Sequence, residues 1–144
     1  MIRRVLKSET DTALLARELV QLSIAGKVIA LEGDLGAGKT TLVRYLVVAL
    51  GGRSEDVASP TFALEHEYQV KQGLEVDHWD LYRLRSAPAE VLEPPASSVV
   101  RVIEWASNCP EISSQSDLTV TLSVGDGGVR MAEISGALES ELLE

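Results

Sequence analysis

The sequence predicts an α/β fold: a mixed, mostly parallel sheet flanked by helices, with antiparallel hairpin additions. Three observations predict it. The apolar run Val28–Leu31 leads into a glycine-rich stretch and then into a helical apolar stripe. A second apolar run stands apart at Val99–Ile103, and residues 61–79 and 118–134 each read as two strands around a turn. Strand–helix alternation implies parallel strands with helices on the sheet faces, and hairpins add antiparallel pairs.

Taken in order, Ile2–Leu6 reads as a first strand. Ser8 or Thr10 then caps a helix to about Ile24, with apolar residues at 14, 15, 19 and 22, and Gly26 closes it. Val28–Leu31 is a buried strand. The helix after it, Thr41–Leu50, carries its stripe at 42, 43, 46, 47 and 50 and ends at Gly51-Gly52. Ser54–Pro60 is polar and reads as a loop. Thr61–Tyr68 alternates in part, Lys71-Gln72-Gly73 turns, and Leu74–Trp79 returns, a β-hairpin. Residues 86–98 hold Pro88, Pro94 and Pro95 and allow one short helix at most. Val99–Ile103 is a strand, and Leu118–Val124 with Val129–Ile134 form a terminal hairpin around residues 125–128. The whole reads as one domain over residues 1–144, with about 136–144 as a loose acidic tail.

Composition narrows the function classes. A net charge of −9 argues against unaided tight binding to nucleic acid, where neutralising phosphates supplies most of the affinity. The single cysteine, Cys109, excludes an internal disulfide framework and fits a reducing compartment, as a packing residue. No apolar run approaches membrane-spanning length and no leader opens the chain, so a cytoplasmic protein with no membrane association is expected.

The chemistry is concentrated in Gly33-Asp34-Leu35-Gly36-Ala37-Gly38-Lys39-Thr40, a match to the phosphate-binding P-loop pattern G-x-x-x-x-G-K-[ST]. Glycines let the backbone aim several N–H groups at phosphate oxygens. Lys39 supplies a positive charge for the β- and γ-phosphates, and the Thr40 hydroxyl is a hard oxygen ligand for Mg²⁺. The following helix points the positive end of its dipole at the phosphates. The fold is thus expected to be of the P-loop NTPase kind, binding a nucleotide with Mg²⁺; that the nucleotide is ATP is what the family resemblance given below implies.

Such a loop needs a second acid near the metal, usually at the end of a neighbouring strand. Glu104 directly follows the run 99–103, and Asp80 ends the strand before it within His78-Trp79-Asp80-Leu81-Tyr82-Arg83. A solvated strand end is the plain alternative for each. His78 and His66 lack the partners of a zinc site, so His78 is expected to orient a neighbour or line the site. Trp79 and Trp105 are expected in the core, with ligand contact as the alternative.

Four motifs in order, GDLGAGKTTLVR, then Ser59-Pro60-Thr61-Phe62 with Glu67-Tyr68, then HWDLYRL, then Val102-Ile103-Glu104-Trp105, closely resemble the TsaE (YjeE) family. The resemblance spans roughly residues 8 to 135. It implies an ATPase that supports threonylcarbamoylation of adenosine 37 in tRNA by acting on the transferase subunits TsaD and TsaB, meeting tRNA only through that complex. It also implies roles. Backbone from Gly36 to Thr41, with Gly33, Asp34 and Ala37, should hold the phosphates. Thr40 and Glu104 should serve Mg²⁺, and Asp80 should act in hydrolysis through metal or water. Thr61 should face the γ-phosphate, Thr12 should lie near the nucleotide, and Arg130 matches a basic position in the last hairpin. The chain departs from the family at 86–98, where an acidic helical stretch with a glycine is usual, and at Ala16, where glycine is common. Two other readings compete: a small-molecule or nucleotide kinase, whose lid could only be 83–98 with Arg83 and Arg85, and a non-catalytic nucleotide-sensing adaptor.

Overall fold

A computed structural model describes residues 1–58 and 64–142, apart from the side chain of Ser113. Seven strands form one sheet: β1 (Ile2–Leu6), β2 (Val28–Glu32), β3 (Glu65–Gln69), β4 (Glu75–Asp80), β5 (Val99–Glu104), β6 (Leu118–Val124) and β7 (Arg130–Ser135), in the order β1-β7-β6-β2-β5-β4-β3. β6, β2, β5 and β4 are mutually parallel, while β3 and β7 run against their neighbours. β1 pairs antiparallel with β7, Ile2 opposite Ile134, and so points the same way as the central four. The expected mixed, mostly parallel sheet is therefore present, with both hairpins at its flanks.

Helices cover both faces. On one, α1 (Glu9–Val20) packs on α2 (Lys39–Ala49), and Leu15, Leu19, Leu42 and Leu46 meet Ile29, Leu31, Val100 and Val102 of the sheet. On the other, α3 (Ala89–Leu92) and α4 (Pro110–Ser113) set Val91 and Ile112 against Trp79 and Ile103. Alternation along β4 and β5 divides these faces: Val76 and Val102 point to the first, Trp79 and Ile103 to the second. Cys109 is buried in the second cluster, a packing residue as expected.

Local chemistry explains the boundaries. α1 ends at Val20 rather than near Ile24. Its N-cap Ser8 makes no side-chain cap; instead the Asp11 carboxylate accepts the Lys7 N–H at 2.8 Å. α2 ends in a Schellman motif, with Gly52 N–H donating to the Val47 carbonyl and Gly51 N–H, at φ 94°, to Val48. The short helix allowed within 86–98 is α3. The terminal stretch, read as loose, instead carries a helical turn at Ala137–Leu142 that buries Leu138 and Leu142 in the larger core. That short hydrophobic repeat was masked in the sequence by the acids around it. No helix among the described residues is long and apolar enough to cross a membrane.

Candidate functional site

The glycine-rich loop leaves the C-terminal end of β2, between β6 and β5, where open α/β sheets place their ligands. Its backbone needs glycine at particular points. Gly33 has φ 140°, and a Cβ there would sit 2.4 Å from the Leu122 carbonyl oxygen. Gly38, at φ 105°, opens α2, so the first free N–H groups of that helix face the loop's concave side.

Around this loop lies a cavity of about 480 Å³, walled by Gly36, Gly38, Lys39, Thr40 and Thr41 on one side and by Asp80, Glu104 and Trp105 on the other. The two acids stand side by side because β4 and β5 pair in register, Asp80 with Glu104. Both are buried. The Thr40 hydroxyl donates to Glu104 at 3.0 Å, and the Asp80 carboxylate accepts the Tyr82 N–H at 2.9 Å. Thr40, Glu104 and Asp80 are hard oxygen donors lining one cavity, a set that fits Mg²⁺.

The electrostatics follow from burial. Lys39 donates to the Gly33 and Asp34 carbonyls and lies 4.3 Å above the Trp105 ring. Burial draws its ammonium below the usual lysine range, against the pull of Glu104 and Asp80. Asp80 is pushed above the usual carboxylate range, first by burial, with the Glu104 charge adding to it and the Tyr82 N–H opposing. Trp105 adopts a left-handed φ of 62° directly after Glu104, and its ring packs tilted against Tyr82, with centroids 4.9 Å apart and planes at 54°. A non-glycine residue held there is a strained element at the cavity wall.

Behind Glu104 runs a buried polar chain. His78 Nε2 lies 2.6 Å from the Glu104 carboxylate, its Nδ1 3.0 Å from the Tyr68 hydroxyl, and that hydroxyl donates to the Ala58 carbonyl at 3.1 Å. His78 thus orients a neighbour, as the sequence suggests. Tyr68 was not singled out, although its place in the Glu67-Tyr68 motif could have flagged it.

Most sequence-derived site residues converge. Arg130 reaches the loop and donates to the Gly36 carbonyl at 3.3 Å. Gly33, Asp34 and Ala37 line the loop's outer side, towards β6, rather than the cavity. Thr12 is buried on the α1 stripe and is not among the cavity-lining residues. Thr61 lies outside the described residues. Arg83, read as solvated charge or part of a lid, lines the cavity, and so does Trp105, which is therefore not purely core.

Comparison with known proteins adds the following. Residues 6–131 match the family model described as threonylcarbamoyl adenosine biosynthesis protein TsaE. Proteins named tRNA threonylcarbamoyladenosine biosynthesis protein TsaE are similar to the chain. The Nostoc sp. one is 39% identical over 144 residues, 94% of this chain and 86% of its own, and the Rickettsia felis one 32% identical, covering 97% and 84%. The Aquifex aeolicus one is 48% identical over 81 residues, 56% of this chain and 60% of its own. The crystal structure of Bacillus subtilis YdiB superposes with a TM-score of 0.74 at 23% identity, over 98% of this chain and 93% of that one, a likeness of fold.

Proposed function

This chain belongs to the TsaE family, which serves tRNA threonylcarbamoyladenosine biosynthesis, and from that premise we propose that it binds ATP at the cavity and hydrolyses it slowly, acting on the TsaD and TsaB transferase pair. The observation that carries the reading is the convergence of Lys39, Thr40, Asp80 and Glu104 on one cavity beside a glycine-rich helix N-terminus. Residues from three separate places in the sequence meet only there.

The loop N–H groups and the Lys39 ammonium would hold the β- and γ-phosphates. Lys39 is already aimed along the loop by its two carbonyl partners. Thr40 and Glu104, with Asp80 beside them, would hold Mg²⁺, whose charge offsets that developing on the phosphates. Asp80, its carboxylate made more basic first by burial, would orient the attacking water and take its proton. Arg83 and Arg130 at the wall add positive charge near the phosphates.

A hydrolase fits better than a kinase. The 89–93 segment is pinned to the opposite sheet face by buried Val91 and by Arg101, which donates to the Val91 and Glu93 carbonyls, so it does not arch over the cavity. Partner action is supported by the family's role and by the net charge of −9, which disfavours direct tRNA binding. The deciding experiment is phosphate release from ATP without an acceptor, with and without TsaD and TsaB. Release that the pair accelerates supports the reading. Transfer to a small acceptor, or binding without any release, would replace it with the kinase or the adaptor.

A further inference from the structure

Three strand ends carry the cavity. β2 ends at Glu32 and runs into the glycine-rich loop, β5 ends at Glu104 and β4 at Asp80. They lie side by side in the order β2-β5-β4. Backbone pairing extends one residue further, with Trp105 N–H donating to the Leu31 carbonyl and Leu81 N–H to the Glu104 carbonyl. Past that point the three segments turn apart, and side chains carry on the connection.

Both connections use the helical turn Ala106–Asn108 that follows Trp105. The Glu32 carboxylate accepts the Ser107 N–H at 2.9 Å and the Ser107 hydroxyl at 2.8 Å. The Asn108 amide Nδ2 donates to the Leu81 carbonyl at 3.2 Å and to the Tyr82 carbonyl at 3.0 Å. An amide nitrogen carries two hydrogens, and here each has an acceptor. The turn is thereby tied to the loop strand on one side and to the Asp80 strand on the other. Glu32, Ser107 and Asn108 are not among the cavity-lining residues. They act through residues that are. Tyr82, whose carbonyl Asn108 holds, gives its own N–H to the Asp80 carboxylate at 2.9 Å. The Tyr82 ring packs on Trp105, and Trp105 lies against the Lys39 ammonium. A left-handed tryptophan persists only where its surroundings over-determine it, and the bonds of Ser107 and Asn108 supply that constraint two and three residues on.

We infer that Asn108, its turn anchored by Glu32 on Ser107, is a positioning residue: through the Tyr82 backbone it aims the Asp80 carboxylate, and it keeps Trp105 against Lys39. The role rests on the ATPase reading of the cavity. A displacement of about 1 Å in such a group can cost roughly a hundredfold in rate. Asn108 holds the turn of Asp80 and not the glycine-rich loop, so its loss should fall on kcat rather than on KM.

The test removes these bonds one at a time in the full chain. With TsaD, TsaB and Mg-ATP, Asn108→Ala and Asn108→Asp should lower kcat for phosphate release roughly ten- to hundredfold and leave KM within about threefold. Aspartate has the same shape but turns an acceptor towards two carbonyls, so a mere packing role would tolerate it. Glu32→Ala should also lower kcat. Glu32→Gln should restore it, because glutamine can accept the Ser107 N–H and donate to its hydroxyl. That pair separates the bonds from the Glu32 charge, which acts on Lys39. A second readout needs no turnover. In a Trp79→Phe background Trp105 is the sole tryptophan. Its emission should shift to the red and be quenched more steeply by acrylamide in Asn108→Ala and Glu32→Ala, and not in Glu32→Gln. Glu32 and Asn108 are half-buried at the edge of the fold, so these variants stay folded. Wild-type kcat in Asn108→Asp, unchanged Trp105 emission in Asn108→Ala, or an equal loss in Glu32→Gln and Glu32→Ala would overturn the role. Should the wild type itself release no phosphate, the ATPase reading fails, and the Trp105 emission alone decides whether Asn108 holds this turn.

Discussion

His78 Nε2 lies 2.6 Å from the Glu104 carboxylate, and both residues are buried. Glu104 is therefore held from behind by the imidazole and from the front by the Thr40 hydroxyl. This fixes the Glu104 carboxylate before any ligand arrives, the kind of support that sets metal affinity in ligated sites. The support continues through Tyr68 to the Ala58 carbonyl, directly before the segment that carries Thr61.

His78→Phe should therefore act through Glu104. It strands two buried polar partners and should cost about 1–3 kcal/mol of stability for each. Its distinguishing effect is on magnesium: the Mg²⁺ concentration for half-maximal ATP turnover should rise roughly 10- to 100-fold, with the loss recovered at high Mg²⁺. Titrating Mg²⁺ in a phosphate-release assay checks this. An unchanged Mg²⁺ dependence would reduce His78 to a packing residue.

Lys39→Ala should abolish the thermal stabilisation by ATP. A ligand at about a thousand times its dissociation constant adds about 4 kcal/mol, several degrees for a chain of this length. The mutant loses the cation that lies along the loop. Differential scanning fluorimetry with and without Mg-ATP reads the result directly, and an equal shift in both proteins would refute phosphate binding at this loop.

Asp80→Asn and Glu104→Gln should separate binding from turnover. The two acids are adjacent in register and repel one another, so neutralising either should leave the apo melting temperature unchanged or slightly higher. Glu104→Gln should weaken Mg²⁺-dependent nucleotide binding. Asp80→Asn should retain binding and lose turnover. Because Asp80 is raised above the ordinary carboxylate range, wild-type turnover should climb with pH as the carboxylate forms. Turnover in the presence of TsaD and TsaB, measured across pH, checks the assignment.

How much of this was legible in the sequence depends on the distance over which residues act. The loop, α2 and the four central strands were legible because their signals are local: an apolar run, a spaced set of glycines, a 3.6-residue stripe. Glu104 and Asp80 were legible because each ends such a run. The Tyr68–His78–Glu104 chain was not, because it joins three strands whose neighbourhood is set by sheet order. The same holds for Asp77 with Arg101, and for the pairing of Ile2 with Ile134 across the length of the chain. Thr12, placed near the nucleotide by resemblance, is held on the buried stripe of α1, where periodicity alone would have put it.

Gly33 and Gly36 provide a graded test of the loop. Both have positive φ, so alanine at either position is strained by roughly 1–2 kcal/mol. At Gly36 nothing lies within 4 Å of the added Cβ. At Gly33 the Cβ meets the Leu122 carbonyl oxygen at 2.4 Å, so β6 and the loop must move apart. Gly33→Ala should thus lower stability by more than Gly36→Ala and also weaken ATP binding. Urea unfolding of the two variants compares them, and equal losses would show that backbone strain alone governs this loop.

Glu65 on β3 and Asp77 on β4, on the sheet face away from α2, supply a pH signature. Glu65 is raised to about 8, first by its hydrogen bond with Asp77, then by burial and by the charges of Asp77 and Glu67, with Arg101 opposing. In the unfolded chain the same carboxyl titrates near 4.5. A raised folded pKa means the native state holds a proton that the unfolded chain has released. The stability it contributes is complete below about pH 4.5 and is lost as the pH rises through about 8. Glu65→Gln keeps a hydrogen-bonding group at this position without the ionisable proton. Urea unfolding across that window should show wild-type stability falling with pH and a flatter profile in the variant. Identical slopes would mean that Glu65 and Asp77, diagonal neighbours across β3 and β4, do not share a proton.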